Sequence, residues 1–503
     1  MSDLIRKSAP FQSRLSLLAY LLTGIFFGLA ITNLLNGETE MQWVVASLLA
    51  LMLPFIILIS RNVKRLLISI ITLAIPLNID MTLNLTPHVG GAKGFVISMH
   101  NFAVIGLLMI WLVESIRKPR EDFRSVRPFI IPLAGLILMA MISMLKAREV
   151  LFSVYELIEW VKMFLVFFCV ARYAHESGDN RIIAFFLLIG LLLESVLALS
   201  QYFLNSTFGI TALGMRKEAM KMTLDGQVIH RVSGTLGGTN ALAWYLDFML
   251  PIPIALLLSR KTGWTNKPLL GLIALLGTAA LFLTFSRAGW ISFVFSLVVL
   301  FIVVSGWIRP LYRFYGWIFI SGMILLVAVA LALTENPIRQ RMTQDDKGSA
   351  YVRIPLMKVA AAMIRENPWA GIGLNNYVIV DQDYDETEEK VTSFFPLPVH
   401  NIYLQLPAEV GLPGLGFFLW FAAAIIIRFF HILRRFSGME RALAAGLLAG
   451  FLGFMLHGTV ENSSIGSFHF LPFWFVSGWA AGFQQPSDAA SIPSNTEKPA
   501  WAG

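Results

Sequence analysis

Apolar stretches of about 17 to 23 residues recur along this whole sequence, and each can cross the hydrocarbon core of a bilayer. A segment in lipid must satisfy its own backbone N–H and C=O groups, and at this length it does so as a helix. The chain therefore reads as an all-α polytopic membrane protein. Fourteen spans are expected, at 16–35, 42–60, 66–85, 95–116, 128–145, 155–171, 182–204, 240–258, 269–286, 289–308, 316–334, 411–430, 442–460 and 468–484.

Composition agrees. Of 503 residues, 56% are hydrophobic and 14% charged, where a soluble chain carries about 25% charged residues. The single cysteine, Cys169, lies in an apolar run and offers neither a disulfide framework nor a thiolate metal site. A formal charge of +8 without a basic block interleaved with aromatics gives no support for a nucleic-acid partner. At the start, Arg6, Lys7 and Arg14 precede a long apolar run with no small-residue cleavage site after it, the pattern of an uncleaved signal anchor.

Charge sets the expected orientation. With the N-terminus in the cytoplasm, cytoplasmic segments hold 23 of the 39 Lys and Arg residues, and both termini are cytoplasmic. Most of the remainder fall in two long external segments, 205–239 and 335–410, on the face where cations are normally scarce. Loops of that length in a compact protein are usually functional or disordered. The organisation expected is N-terminal helices over 1–181, helices with a first external loop (205–239) over 182–334, a large external loop over 335–410, C-terminal helices over 411–484, and a disordered tail over 485–503. Within the large loop, Arg353 to Arg365 has the spacing of an amphipathic helix lying on the outer membrane surface. Asn367-Pro368 ends it, and an irregular stretch begins at Gly371-Ile372-Gly373.

Four positions could carry chemistry on that external face. His400, where the loop meets the next span, is placed to act as a general base. Asn401 and Glu409 follow it, suited to positioning His400 or capping the next helix. Arg287, in Ser286-Arg287-Ala288-Gly289, sits between two spans with almost no loop, where a guanidinium can hold a phosphate bidentately. Arg231 begins Arg231-Val232-Ser233-Gly234-Thr235-Leu236-Gly237-Gly238-Thr239-Asn240, whose glycines suggest an anion nest of backbone N–H groups. Arg353 opens the amphipathic helix. Three arginines on one face suit a diphosphate, whose departure requires its charge to be neutralised.

Other ionisable groups carry weaker signals, although an acid within a span is by default a functional candidate. Asp381-x-Asp383, in the acidic run up to Glu389, has the form of a metal-binding carboxylate pair but fits a solvated loop better. Asp80, Glu159, Glu194 and Asp247 are intramembrane acids, of which Glu159 can pair with Lys162. His457 and His469 also approach the outer face and rank below His400.

The order Arg231-x-x-Gly234…Asn240, Ser286-Arg287-Ala288-Gly289, Arg353 before Asn367-Pro368-Trp369-Ala370-Gly371-Ile372-Gly373, and His400-Asn401…Glu409-x-Gly411-x-x-Gly414 resembles the O-antigen ligase and polymerase superfamily, over residues 180–484. The resemblance implies a GT-C-like fold in the bacterial inner membrane and a periplasmic active site. It also implies a glycan donor carried on undecaprenyl pyrophosphate and catalysis without a metal or other cofactor. Arg231, Arg287 and Arg353 would bind the pyrophosphate, and His400 would activate the acceptor in an inverting transfer. The acceptor could be lipid A core, another lipid-linked glycan, or protein Ser/Thr as in O-oligosaccharyltransferases. Fourteen spans exceed the number usual for ligases and lean toward polymerases. A transporter or flippase of the same lipid-linked glycans is the alternative of another class.

Overall fold

The computed structural model describes residues 62–117, 126–174, 180–210, 213–218, 220–224, 227–259, 267–306, 350–388, 390–461 and 463–483. The expected signal anchor, the spans at 16–35, 42–60 and 316–334, and the tail 485–503 lie outside these residues.

The chain runs α1 (Val63–Ala74), a hairpin of β1 (Asp80–Leu83) and β2 (Phe95–Ser98), then α2 (Met99–Arg117), α3 (Arg127–Ser143), α4 (Val150–Tyr173) and α5 (Asn180–Phe203). A second hairpin, β3 (Met220–Leu224) and β4 (Gln227–Arg231), leads to α6 (Thr239–Met249), α7 (Pro251–Leu258), α8 (Lys267–Leu283) and α9 (Arg287–Ser305). Then follow α10 (Ala350–Glu366), α11 (Tyr377–Val380), a 3-10 turn at Asp381–Tyr384, α12 (Val391–Phe394), α13 (Ile402–Arg435), α14 (Gly438–His457) and α15 (Leu471–Gly482). Among the described residues, seven helices are long and apolar enough to cross a membrane: Met99–Ile116, Arg127–Lys146, Asn180–Phe203, Thr239–Leu258, Arg287–Ser305, Ile402–Arg435 and Gly438–His457. The protein is thus a helical membrane protein.

The expected span 66–85 is corrected. Helix α1 ends at Ala74 because Pro76, two residues on, has no N–H with which to continue the helical ladder. Residues 80–83 then form an antiparallel ladder with 95–98, and Asp80 lies opposite Ser98 on a hairpin instead of inside a helix. The two hairpins also qualify the all-α expectation. Helix α13 begins nine residues before the expected start of its span at 411, at Ile402.

Lipid gives little hydrophobic drive for helix association, so close packing has to hold the bundle. Its centre is aromatic: Phe418, Phe421, Phe451, Phe454, Phe470, Phe473 and Trp474 are all buried, with Phe421 and Trp474 ring centroids 5.2 Å apart and Phe451 and Phe473 5.1 Å apart. Helix α14 crosses α6 so closely that a Cβ at Gly450 would lie 2.0 Å from the Phe248 carbonyl oxygen. The expected Glu159–Lys162 pair forms at 2.5 Å, and Lys162 also donates to Val96 O.

The two ends of the bundle differ. At one, Lys64 pairs with Glu114, Arg428 closes the C-terminus of α15 through Ala480 O and Phe483 O, and Arg434 and Arg435 end α13. At the other, residues 350–401 fold into a layer over the helices. The apolar face of α10 does not lie bare: Val352, Leu356, Val359, Ala360 and Met363 pack with Ile372, Tyr377, Val380, Val391, Val399 and Ala408. The stretch expected to be irregular after Gly371 is built into this core through α11 and α12.

Candidate functional site

The site residues fall into two halves at the layered end. In the first, β4 ends at Arg231, whose Nε donates to Thr284 O at 2.8 Å and whose guanidinium also reaches Asn240 Oδ1 at 3.2 Å. Thr284 closes α8, and the chain turns at Phe285, with φ at +52°, directly into α9. Ser286 caps α9 by accepting the Gly289 N–H, which makes Arg287 the first helical residue. The short turn between α8 and α9 thus sets Arg231 beside the backbone that presents Arg287. Both arginines are half-buried, where charge-assisted bonds to an anion are stronger than in open water.

Part of the expected anion nest is already engaged within the protein. Gln201 Oε1 accepts the N–H groups of Ser233 and Gly234, at 3.2 and 2.9 Å, and buried Glu194 accepts the Thr235 N–H at 3.2 Å. These groups serve the loop's own fold. The two side chains in α5 satisfy a glycine turn that would otherwise bury unpaired donors. His469 bears on the same loop through the Leu236 backbone, and burial lowers its pKa.

In the second half, His400 is half-buried and its Nδ1 has no hydrogen-bond partner among the described residues. Burial, followed by the charge of Arg353, pushes its pKa down to about 4, partly offset by the Pro398 carbonyl. The imidazole is therefore neutral at neutral pH, with a ring nitrogen able to accept a proton. Arg353 belongs electrostatically to this half. Asn401 does not orient the ring: its side chain accepts the Tyr403 N–H at 2.9 Å as the N-cap of α13.

Glu409 has a different place again. It is buried inside α13 and accepts the Asn375 N–H at 3.1 Å, fixing the loop after Gly371 instead of His400. Asn375, at φ +56°, is a hub: its Oδ1 accepts the Gly91 N–H at 2.8 Å and lies 2.8 Å from His88 Nε2, and its Nδ2 donates to Ala92 O and Phe152 O. Asn376 joins the loop to Glu149 N, at 2.8 Å, and to Ser153 Oγ. Sequence reasoning did not single out these two asparagines. The available signal was Asn-Asn after Gly-x-Gly-Leu, since Asn tolerates the left-handed region better than other residues with a side chain.

The same loop explains the glycines of the motif. Inside α13, Gly411 takes φ 78° and ψ 166°, and Pro413 has no N–H to return to Glu409 O. The freed carbonyls of Ala408 and Glu409 accept the N–H groups of Ile372 and Gly373, at 2.9 and 3.2 Å. The loop is stitched to a break in the helix that follows His400. Of the carboxylate pair, Asp383 bonds Arg148 at 2.5 Å, while Asp381 is buried, which pushes its pKa up to about 7.

The halves meet through the helices. Ile402, two residues after His400, donates its N–H to Gly458 O at 2.9 Å, just past the end of α14. Helix α14 packs against α6, which carries Asn240, the partner of Arg231.

Residues 272–419 match a family model described as O-Antigen ligase. The match runs from α8 through Arg287, Arg353 and His400 to the broken part of α13. It is narrower than the expected 180–484 and leaves Arg231 outside. No curated protein matches the chain.

Proposed function

This chain belongs to the O-antigen ligase superfamily through residues 272–419, and from that premise we propose that it transfers a glycan from a polyprenyl diphosphate, undecaprenyl pyrophosphate, to an acceptor hydroxyl. The coarser conclusion, a membrane glycosyltransferase of the ligase or polymerase type, follows from the family match. The finer reading is supported above all by one observation: Arg231 is bonded onto the turn that presents Arg287, at the same end of the bundle as Arg353 and a neutral His400.

In this reading Arg231 and Arg287 bind the diphosphate. The acceptor hydroxyl gives its proton to His400 as its oxygen attacks the anomeric carbon, and the bond from that carbon to the diphosphate oxygen breaks with its electron pair. The arginines stabilise the charge on the departing lipid diphosphate. Displacement from the opposite face inverts the anomeric centre. Arg353 keeps His400 unprotonated and stands near enough to add to the anion's field. The layered end is then periplasmic, in a bacterial inner membrane, and the arginine-rich end cytoplasmic, in accord with the positive-inside rule.

The decisive experiment is transfer by pure protein in detergent, from a lipid-diphosphate oligosaccharide to lipid A core, a lipid-linked glycan or a Ser/Thr peptide. Transfer to one acceptor, lost in His400→Ala, supports the reading and names the acceptor. Wild-type transfer by His400→Ala overturns it.

A further inference from the structure

Asp247 and His457 form a buried hydrogen-bonded pair across α6 and α14, with His457 Nδ1 2.6 Å from Asp247 Oδ2 and neither side chain exposed. Asp247 Oδ1 and His457 Nε2 have no hydrogen-bond partner among the described residues. A buried pair of this kind is poor value as a stabiliser, because the desolvation of both groups offsets their attraction. Its better-attested use is to fix the register of packed helices.

The α14 surface needs such a device. Gly446, Gly450 and Gly453 face Ile252, Phe248 and Ser296, so α14 meets α7, α6 and α9 through a nearly featureless stripe. Small residues permit close approach but do not by themselves fix how far one helix is displaced along the other. At the outer end of this stripe come Trp244, stacked on Phe454 at 4.3 Å and donating to Phe454 O, and then the Asp247–His457 pair.

What the pair aligns bears on the chemistry. Asp247 lies two turns along α6 from Asn240, the partner of Arg231. His457 precedes Gly458, whose carbonyl holds the Ile402 N–H two residues after His400. We propose that Asp247 and His457 are positioning residues that set the register of α6 against α14, and thereby the placement of the histidine half of the site relative to the arginine half. This inference rests on the roles given above to Arg231 and His400.

The test uses full-length protein in detergent, with a synthetic polyprenyl-diphosphate oligosaccharide that the wild type turns over. The variants are Asp247→Asn, His457→Asn, which keeps an N–H donor near the place of Nδ1, and the apolar double variant Asp247→Leu/His457→Met. Replacing the pair by apolar side chains of similar volume keeps the melting temperature near or above that of the wild type. The proposal expects kcat to fall about 10- to 100-fold in the double variant, with the KM for donor changed less than about threefold, because a small misplacement of reacting groups acts on the chemical step. His457→Asn retains most of the rate.

A double variant that folds and keeps the wild-type kcat overturns the proposal, as does a loss that appears wholly in the donor KM. Should the double variant not fold, Asp247→Ala, which removes the acceptor that Asp247→Asn retains, decides by the same split of kcat against KM. An inactive His400→Ala beside pair variants of normal rate defeats this inference alone. A fully active His400→Ala defeats the reading on which it rests.

Discussion

Leu412 donates its backbone N–H to Pro368 O at 2.7 Å, a bond that leaves its own helix for the layer above. It is possible because Gly411 turns the chain into φ 78°, ψ 166°, a region that is almost closed to residues with a side chain. A Cβ there would also lie 2.3 Å from Trp369 O. Gly411→Ala should therefore lose about 1–3 kcal/mol from backbone conformation alone, with the clash adding to it. The expected outcome is a lower melting temperature in detergent and faster proteolysis of the 368–376 segment. Gly416→Ala, on the same helix with open space around its Cα, should show neither change.

The carboxylate of Glu409 has a purely internal partner, and its variants should separate architecture from chemistry. Glu409→Ala leaves the buried Asn375 N–H unpaired, which costs about 1–3 kcal/mol. Glu409→Gln keeps an acceptor in place and should recover most of that loss. A stability series measured by thermal unfolding, with alanine well below glutamine, is expected. If Glu409→Gln instead abolished transfer without lowering stability, Glu409 would have a chemical task that its hydrogen bonds do not indicate.

Arg231 tests the arginine half. Its Nε and a second guanidinium nitrogen are engaged by Thr284 O and Asn240 Oδ1, a forked geometry that an ammonium cannot reproduce. Arg231→Lys should raise the KM for a lipid-diphosphate donor by about tenfold or more, equivalent to about 1.4 kcal/mol, with kcat less affected. Asn240→Ala should shift the same parameter in the same direction by a smaller factor. Steady-state kinetics with varied donor concentration would show both.

What could be read from the sequence was what depends on local pattern. Most of the helices around the candidate site were legible from apolar runs, and the proposed residues Arg231, Arg287, Arg353 and His400 stood out as cations and an imidazole at the ends of apolar helices or in the loops between them. The end of α1 at Ala74 was missed because residues 66–85 stay apolar past Pro76, and hydropathy does not register a missing N–H. The glycines of Ser233–Gly238 suggested a nest, but Gln201 and Glu194, which take up some of its N–H groups, lie more than thirty residues away. Asn375 escaped notice for the same reason: its partners come from loops and helices near residues 91, 152 and 409, and only the folded chain brings them together. Asn401 was legible in kind, since Asn before an apolar run is a common N-cap, and the structure selects that alternative.

The pH profile offers the sharpest check on His400. Burial and Arg353 hold its pKa down to about 4, below the ordinary imidazole value of 6.5. The neutral ring is the form that accepts a proton, so activity limited by His400 should stay level as pH falls through 6.5 and decline only as pH approaches about 4. Removing the neighbouring like charge in Arg353→Gln relieves part of that depression. The acid limb of kcat/KM should then move to higher pH, toward 6.5, while the neutral-pH rate changes separately with any loss of anion binding. Measured with a saturating acceptor from pH 4 to 8, an acid limb that stays fixed in Arg353→Gln would disconnect Arg353 from His400. A limb near 6.5 in the wild type would mean that the ring is hydrated during turnover, in a site more open than the one described.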